Sequence, residues 1–120
     1  MTTHWGRCGV VIAVHGEIDA ANAAAVNSYV QRCAGNCAWL VLDLSDLEFI
    51  GTAGFSALRA LGSRYATANI CWSMVPGSAV SRLLRICDPD SLLPTAESVG
   101  VALARVQNPS RSPLLARQTG

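Results

Sequence analysis

Residues 40–61 read Leu-Val-Leu-Asp-Leu-Ser-Asp-Leu-Glu-Phe-Ile-Gly-Thr-Ala-Gly-Phe-Ser-Ala-Leu-Arg-Ala-Leu, and no other stretch restricts the fold as strongly. An apolar strand, Leu40 to Leu44, passes through a short acidic connector into the turn Gly51-Thr52-Ala53-Gly54, which opens a helix. The helix is expected because Phe55, Leu58 and Leu61 recur at i, i+3 and i+6, with Ala57 and Ala60 filling in. Thr52 sits where an N-cap belongs, beside free backbone N–H donors and the positive end of the helix dipole. A single hydroxyl in that place can cap the helix, bind an anion or carry a phosphate.

The rest of the chain repeats the pattern. Val10 to Val14 is a β-branched run ended by His15-Gly16 and reads as a strand. Asp19 is a suitable N-cap for a helix from Ala20 to Cys33, with Ala23, Val26 and Val30 on one face and Gly35-Asn36 as its stop. A strand at 39–44 and a helix at about 53–66 follow, then a strand from Ile70 to Val75 closed by Pro76-Gly77. Ser78 is read as the cap of a short helix through Ile86, broken by Asp88-Pro89-Asp90. A last helix, roughly 96–106, carries Val99, Ala102, Leu103 and Val106. Strands alternating with helices in this way form a sheet with parallel neighbours and crossover helices, an α/β class. Residues 1–8 read as a flexible N-terminus, 9–106 as the folded domain, and 107–120 as a disordered tail with little to bury.

Composition narrows the functions. A chain of 120 residues makes one domain, and 51% hydrophobic against 14% charged residues makes it a compact one. No apolar run approaches a membrane span and no signal-peptide core opens the chain, so a soluble, cytoplasmic protein is expected. A formal charge of +1 argues against nucleic acid as partner. All nine basic residues are Arg, which excludes the lysine chemistry of phosphate loops and Schiff bases. Low charge with high apolar content points instead to an exposed apolar patch and a protein partner.

No catalytic constellation emerges. His15 has no nucleophile set against it by a recognisable motif, and Glu17 and Asp19 suffice as turn residues. Asp43, Asp46 and Glu48 alternate with apolar residues and lack a phosphate-binding loop, so no metal is assigned. The five cysteines are an odd number without a disulfide framework. Cys33 and Cys37 lie four apart across a helix exit, which is not Cys-x-x-Cys, and only His4 and His15 could complete a zinc site. A thiol-based redox sensor or enzyme using Cys33 and Cys37 stands as an alternative from another class.

Gly16-Glu17-Ile18-Asp19 after a first strand, Leu42-Asp43-Leu44 ending a second, and Phe49-Ile50-Gly51-Thr52-Ala53-Gly54 opening a helix resemble the sulphate-transporter and anti-sigma-factor-antagonist (STAS) domain. Pro76 to Leu84 and Glu97 to Leu103 echo later elements of the same family. The resemblance implies a mixed sheet of about four strands with helices mainly on one face. It implies an anti-sigma factor antagonist that sequesters an anti-sigma factor of protein-kinase fold and so frees a sigma factor. The family's switch is Asp-Ser-[Ser/Thr]-Gly, phosphorylated by the partner on its first hydroxyl. Thr52 falls at that phosphoacceptor, Gly54 at the glycine and Ala53 at the second hydroxyl, while Gly51 replaces the aspartate. The implied docking surface comprises Asp19, Ile50, Gly51, Thr52, Ala53, Gly54, Ser56 and Arg59. The chain needs no cofactor of its own, ATP belonging to the partner. A scaffold or lipid-transport subunit that uses the domain without phosphorylation is the alternative within the family.

Overall fold

The computed structural model describes residues 1–107. Its elements are β1 (Thr2–Gly6), β2 (Gly9–Ala13), β3 (Gly16–Ile18), α1 (Ala23–Ala34), β4 (Trp39–Asp43), β5 (Leu47–Ile50), α2 (Thr52–Ala68), β6 (Cys71–Val75), α3 (Gly77–Cys87) and α4 (Val99–Gln107). The main sheet has the order β1-β2-β4-β6, with β1 antiparallel to β2 and the other neighbours parallel. The α/β class and the mixed four-stranded sheet expected from the sequence are both present. A separate parallel pair, β3-β5, lies beyond the C-terminal ends of the parallel strands.

Alternation on the strands divides the interior in two. Val10, Ile12, Leu40, Leu42 and Met74 face α1 and α2, together with Val30, Leu58, Leu61 and Tyr65. Trp39, Val41 and Val75 face the other way and are covered by α4 through Ala102 and Val106. Burial on both faces explains why 39–44 reads as a continuous apolar run rather than an alternating one. Two helices over one face and α4 over the other make the sheet a central layer. Residues 94–96 lie along β6, with Met74 N–H donating to Pro94 O at 3.0 Å and Ala96 N–H to Met74 O at 2.8 Å, so that edge is covered.

Several expectations require correction. Residues 1–8, expected to be flexible, hold strand β1; its side chains are mostly exposed, so pairing with β2 orders it rather than burial. β3 and β5, read as turn and connector, are short strands paired only with each other. α1 starts at Ala23 with Asn22 at its N-cap, and α3 starts at Gly77 behind Pro76, which leaves Ser78 inside the helix. The last helix begins at Val99 rather than 96. The tail expected at 107–120 lies, apart from Gln107, outside the described residues.

Candidate functional site

The connection from β5 into α2 stands at the C-terminal edge of the sheet, and β3 fixes it. Ile18 pairs with Ile50, and Gly51 N–H donates to Ile18 O at 2.9 Å, so the β3 chain end and the start of α2 are one unit. Asp19, the next residue, organises the entry to α1. Its carboxylate accepts from the amides of Ala21 and Asn22 at 2.9 and 3.2 Å, and its carbonyl from Ala23 N–H at 2.9 Å. Asn22 answers by accepting from Asp19 N–H at 2.9 Å. Asp19 thus caps the turn that leads into α1 rather than the helix itself.

Gly54 sets how closely α2 approaches the β3–β5 pair. A Cβ added there would stand 2.6 Å from Ile50 Cγ1 and 3.0 Å from Ile18 Cγ2, closer than real side chains approach. The glycine is therefore a packing requirement that lets the first turn of α2 rest on both isoleucines.

Thr52 is the first residue of α2 rather than its N-cap, so the helix starts one place earlier than the sequence suggested. Gly51 is the N-cap, with extended backbone (φ −90, ψ 178), and no side chain caps this helix. Gly54 and Phe55 N–H both donate to Gly51 O, at 3.0 and 3.2 Å. The amides of Thr52 and Ala53 have no acceptor among the described residues, and the first turn carries no acidic side chain. The positive end of a 17-residue helix is thus left open beside an exposed threonine.

Thr52, Ser56 and Arg59 are exposed and, at i, i+4 and i+7, share one stripe of α2. The Arg59 guanidinium lies 5.9 Å from the Phe55 ring centroid. Asp19, Gly51 and Ala53 are half-buried. Ile50 and Gly54 are buried, so they support the turn and offer no side chain to a partner. Sequence reading placed no weight on Phe49 itself, which is 51% exposed beside Gly51. β5 follows an in-out-out-in pattern instead of alternating, and that irregularity turns the ring outward. The one available sequence signal was a phenylalanine between Glu48 and a glycine turn.

The acidic residues nearby have structural work. Asp43 accepts from Ser45 N–H and Ser45 Oγ at 3.0 and 2.6 Å, closing a turn, and Asp46 stands 3.5 Å from His15 Nδ1. Among the described residues no group of three or more His, Cys, Asp or Glu is arranged to hold a metal ion, and no helix is long and apolar enough to cross a membrane.

The fold that holds this turn recurs in proteins of known structure. An anti-sigma factor antagonist from Mycobacterium paratuberculosis superimposes with a TM-score of 0.75 at 26% identity, over 88% of this chain and 92% of that one. The anti-sigma factor antagonist SpoIIAA in its unphosphorylated form shares the fold, with a TM-score of 0.73 at 14% identity over 89% of this chain and 96% of its own. Osmosensory protein A of Mycobacterium tuberculosis (strain ATCC 25618 / H37Rv) is 37% identical over 97 residues. That match takes in 78% of this chain but only 61% of the relative's length. Residues 1–102, from β1 into the first turn of α4, match the STAS domain, and the chain belongs to that family.

Proposed function

We propose that the protein is an anti-sigma factor antagonist: it binds an anti-sigma factor of kinase fold and so frees a sigma factor for transcription. The docking surface is formed by Asp19, the 49–52 turn with its exposed phenylalanine, and the Thr52–Ser56–Arg59 stripe. Thr52 is the switch, and its phosphorylation by the partner ends binding. The observation that supports this reading is the exposed Thr52 on an uncapped helix N-terminus with two unused amides. A phosphate there brings about −1.5 to −2 charges, which the helix end accommodates without refolding. The same phosphate stands in the middle of the docking surface, where its desolvation opposes complex formation.

Gly51 in place of the family aspartate does not disable this arrangement. Its backbone is one that any residue adopts, and a Cβ would make ordinary contact with the Phe49 ring at 3.6 Å. What the glycine removes is a carboxylate that would compete with phosphate for the open amides. The mycobacterial relative's name, an osmosensory protein, supports an osmotic stimulus as the upstream signal.

The test is a titration of the anti-sigma partner, recovered from the native cell, against wild type and Thr52→Asp. The acidic variant is expected to keep its fold and bind at least tenfold more weakly, about 1.4 kcal/mol. Equal affinities would remove Thr52 as the switch. Phosphopeptide mass spectrometry on protein from its own cells checks the modification directly.

A further inference from the structure

Four of the five thiols gather at the end of the sheet opposite Thr52, which no sequence spacing announces. The parallel register is responsible. Gly9 pairs with Trp39 and Trp39 with Cys71, so Cys8, Cys37 and Cys71 all stand at the N-terminal ends of neighbouring strands. The backbone holds them there, with Ala38 N–H donating to Cys8 O at 2.6 Å and Cys71 N–H to Ala38 O at 3.1 Å. α1 delivers Cys33 in its last turn, and Cys37 Sγ donates back to Cys33 O at 3.3 Å.

Cys8, Cys33 and Cys37 line one surface groove of about 280 Å³ together with Trp5 and Arg32. Cys8 is exposed at the tip of the β1–β2 turn, where its φ of 64° holds it in the left-handed region. Burial pushes the Cys37 thiol up from its ordinary range, and the neighbouring Cys33 and Cys8 push it further. A second group is left over beside them. The Tyr65 hydroxyl is buried without a hydrogen-bond partner, and its ionisation is opposed chiefly by that burial and to a lesser degree by Cys33 and Cys37.

We propose that this groove is an oxidative modification site in which Cys8 and Cys37 form a reversible disulfide, independently of Thr52. The oxidant is a hydroperoxide. The Cys8 sulfur attacks the terminal peroxide oxygen, the O–O bond breaks, and Cys8 becomes a sulfenic acid while the peroxide leaves as an alcohol, or as water from hydrogen peroxide. The Cys37 sulfur then attacks the Cys8 sulfur, the S–O bond breaks, and the oxygen departs as water with the Cys37 proton. Two thiols are oxidised by two electrons and one peroxide is reduced. Cys8 acts first because it is the exposed member, and thiol reactivity follows access as well as ionisation. Cys37 resolves because it stands beside Cys8 across the hairpin–helix junction. Cys33 shares the helix end with Cys37 and already offers it a carbonyl, so a bridge between those two would join nothing new. The Cys8–Cys37 bridge would instead fasten the β1–β2 turn to the exit of α1.

The experiment uses the full chain, reduced and then treated with stoichiometric hydrogen peroxide. Titratable thiols are expected to fall by two, with peptide mapping placing the bridge between Cys8 and Cys37 and dithiothreitol restoring both. Cys8→Ser and Cys37→Ser should each prevent the intramolecular bridge, and Cys33→Ser should form it as wild type does. A bridge mapped to any other pair, a disulfide-linked dimer through Cys8, oxidation that stops at sulfinic acid, or an unchanged thiol count would each overturn the proposal. The wild-type map decides even if a serine variant does not fold.

Discussion

The two ends of the parallel strands are built by the same device and finished in opposite ways. At each, a glycine lets a large neighbour close in: Gly54 admits Ile50 and Ile18, and Gly9 admits the Trp39 indole. At the Thr52 end the closure leaves groups unused, namely two amides, an exposed hydroxyl and an outward phenylalanine. At the thiol end the indole closes the gap, because Trp39 Nε1–H donates to Arg7 O at 2.9 Å and the residue is 5% exposed, and the group left without a partner there, the Tyr65 hydroxyl, is buried. Its remaining chemistry is directed inward, thiol to thiol. An end with unused donors at its surface can accept something from outside, whereas an end whose unpartnered hydroxyl is buried reacts through its thiols, with each other or with a small oxidant.

The contrast is broken most strongly at the glycines. A Cβ on Gly9 would stand 2.0 Å from Trp39 Cδ2, and the indole cannot retreat without losing its bond to Arg7. Gly9→Ala should therefore cost about 3 kcal/mol, at the upper end for overpacking. Gly54→Ala meets a milder 2.6 Å contact and regains roughly 1 kcal/mol of helix propensity, so its net loss should be about 1 kcal/mol. Urea unfolding of the two variants measures the difference. Equal losses would show that the two closures do not differ as described.

A second effect belongs to the thiol end alone. Burial raises the Tyr65 hydroxyl from 10.0 to about 12. The folded chain then holds this proton more tightly than the unfolded chain does. Stability from this source is complete below pH 10 and is lost as pH rises through 12, on the order of 2 kcal/mol. The half-buried Cys37 thiol adds to the same decline, since its shift has the same sign. Tyr65→Phe should flatten the alkaline limb of a stability-versus-pH curve. At neutral pH it should be neutral or slightly stabilising, because the hydroxyl it removes has no partner. A clear loss of stability at pH 7 would mean that the hydroxyl is satisfied after all.

Much of the Thr52 end was legible in the sequence, and very little of the thiol end. Strand, turn and helix around Thr52 are contiguous, so local periodicity and glycine placement announce them. Cap position is less readable, because Gly51 and Thr52 are both acceptable N-caps and only the backbone angles decide between them. β1, β3 and β5 escaped for a different reason. Each is three to five residues long with no alternating apolar face, and each exists because a neighbour offers backbone partners. The meeting of Cys8 with Cys37 depends on strands far apart in sequence falling into one register. A composition count sees five cysteines, whereas the ladder from Gly9 through Trp39 to Cys71 is what brings four of them together.

The smallest predicted effect sharpens the comparison most. If Thr52 were the N-cap, Thr52→Ala would remove a side-chain acceptor and cost about 1 kcal/mol. In the structure the cap is Gly51, the Thr52 side chain makes no capping hydrogen bond, and its residue is exposed. Alanine is also the better helix former, so Thr52→Ala should change stability by no more than roughly 0.5 kcal/mol, in either direction. Partner affinity should stay near that of wild type while phosphorylation at this position is lost. Denaturant unfolding and partner titration on the same variant separate the two roles. A loss near 1 kcal/mol with unchanged binding would make Thr52 a structural residue, and the open end of α2 would then lack the hydroxyl that distinguishes it as a switch.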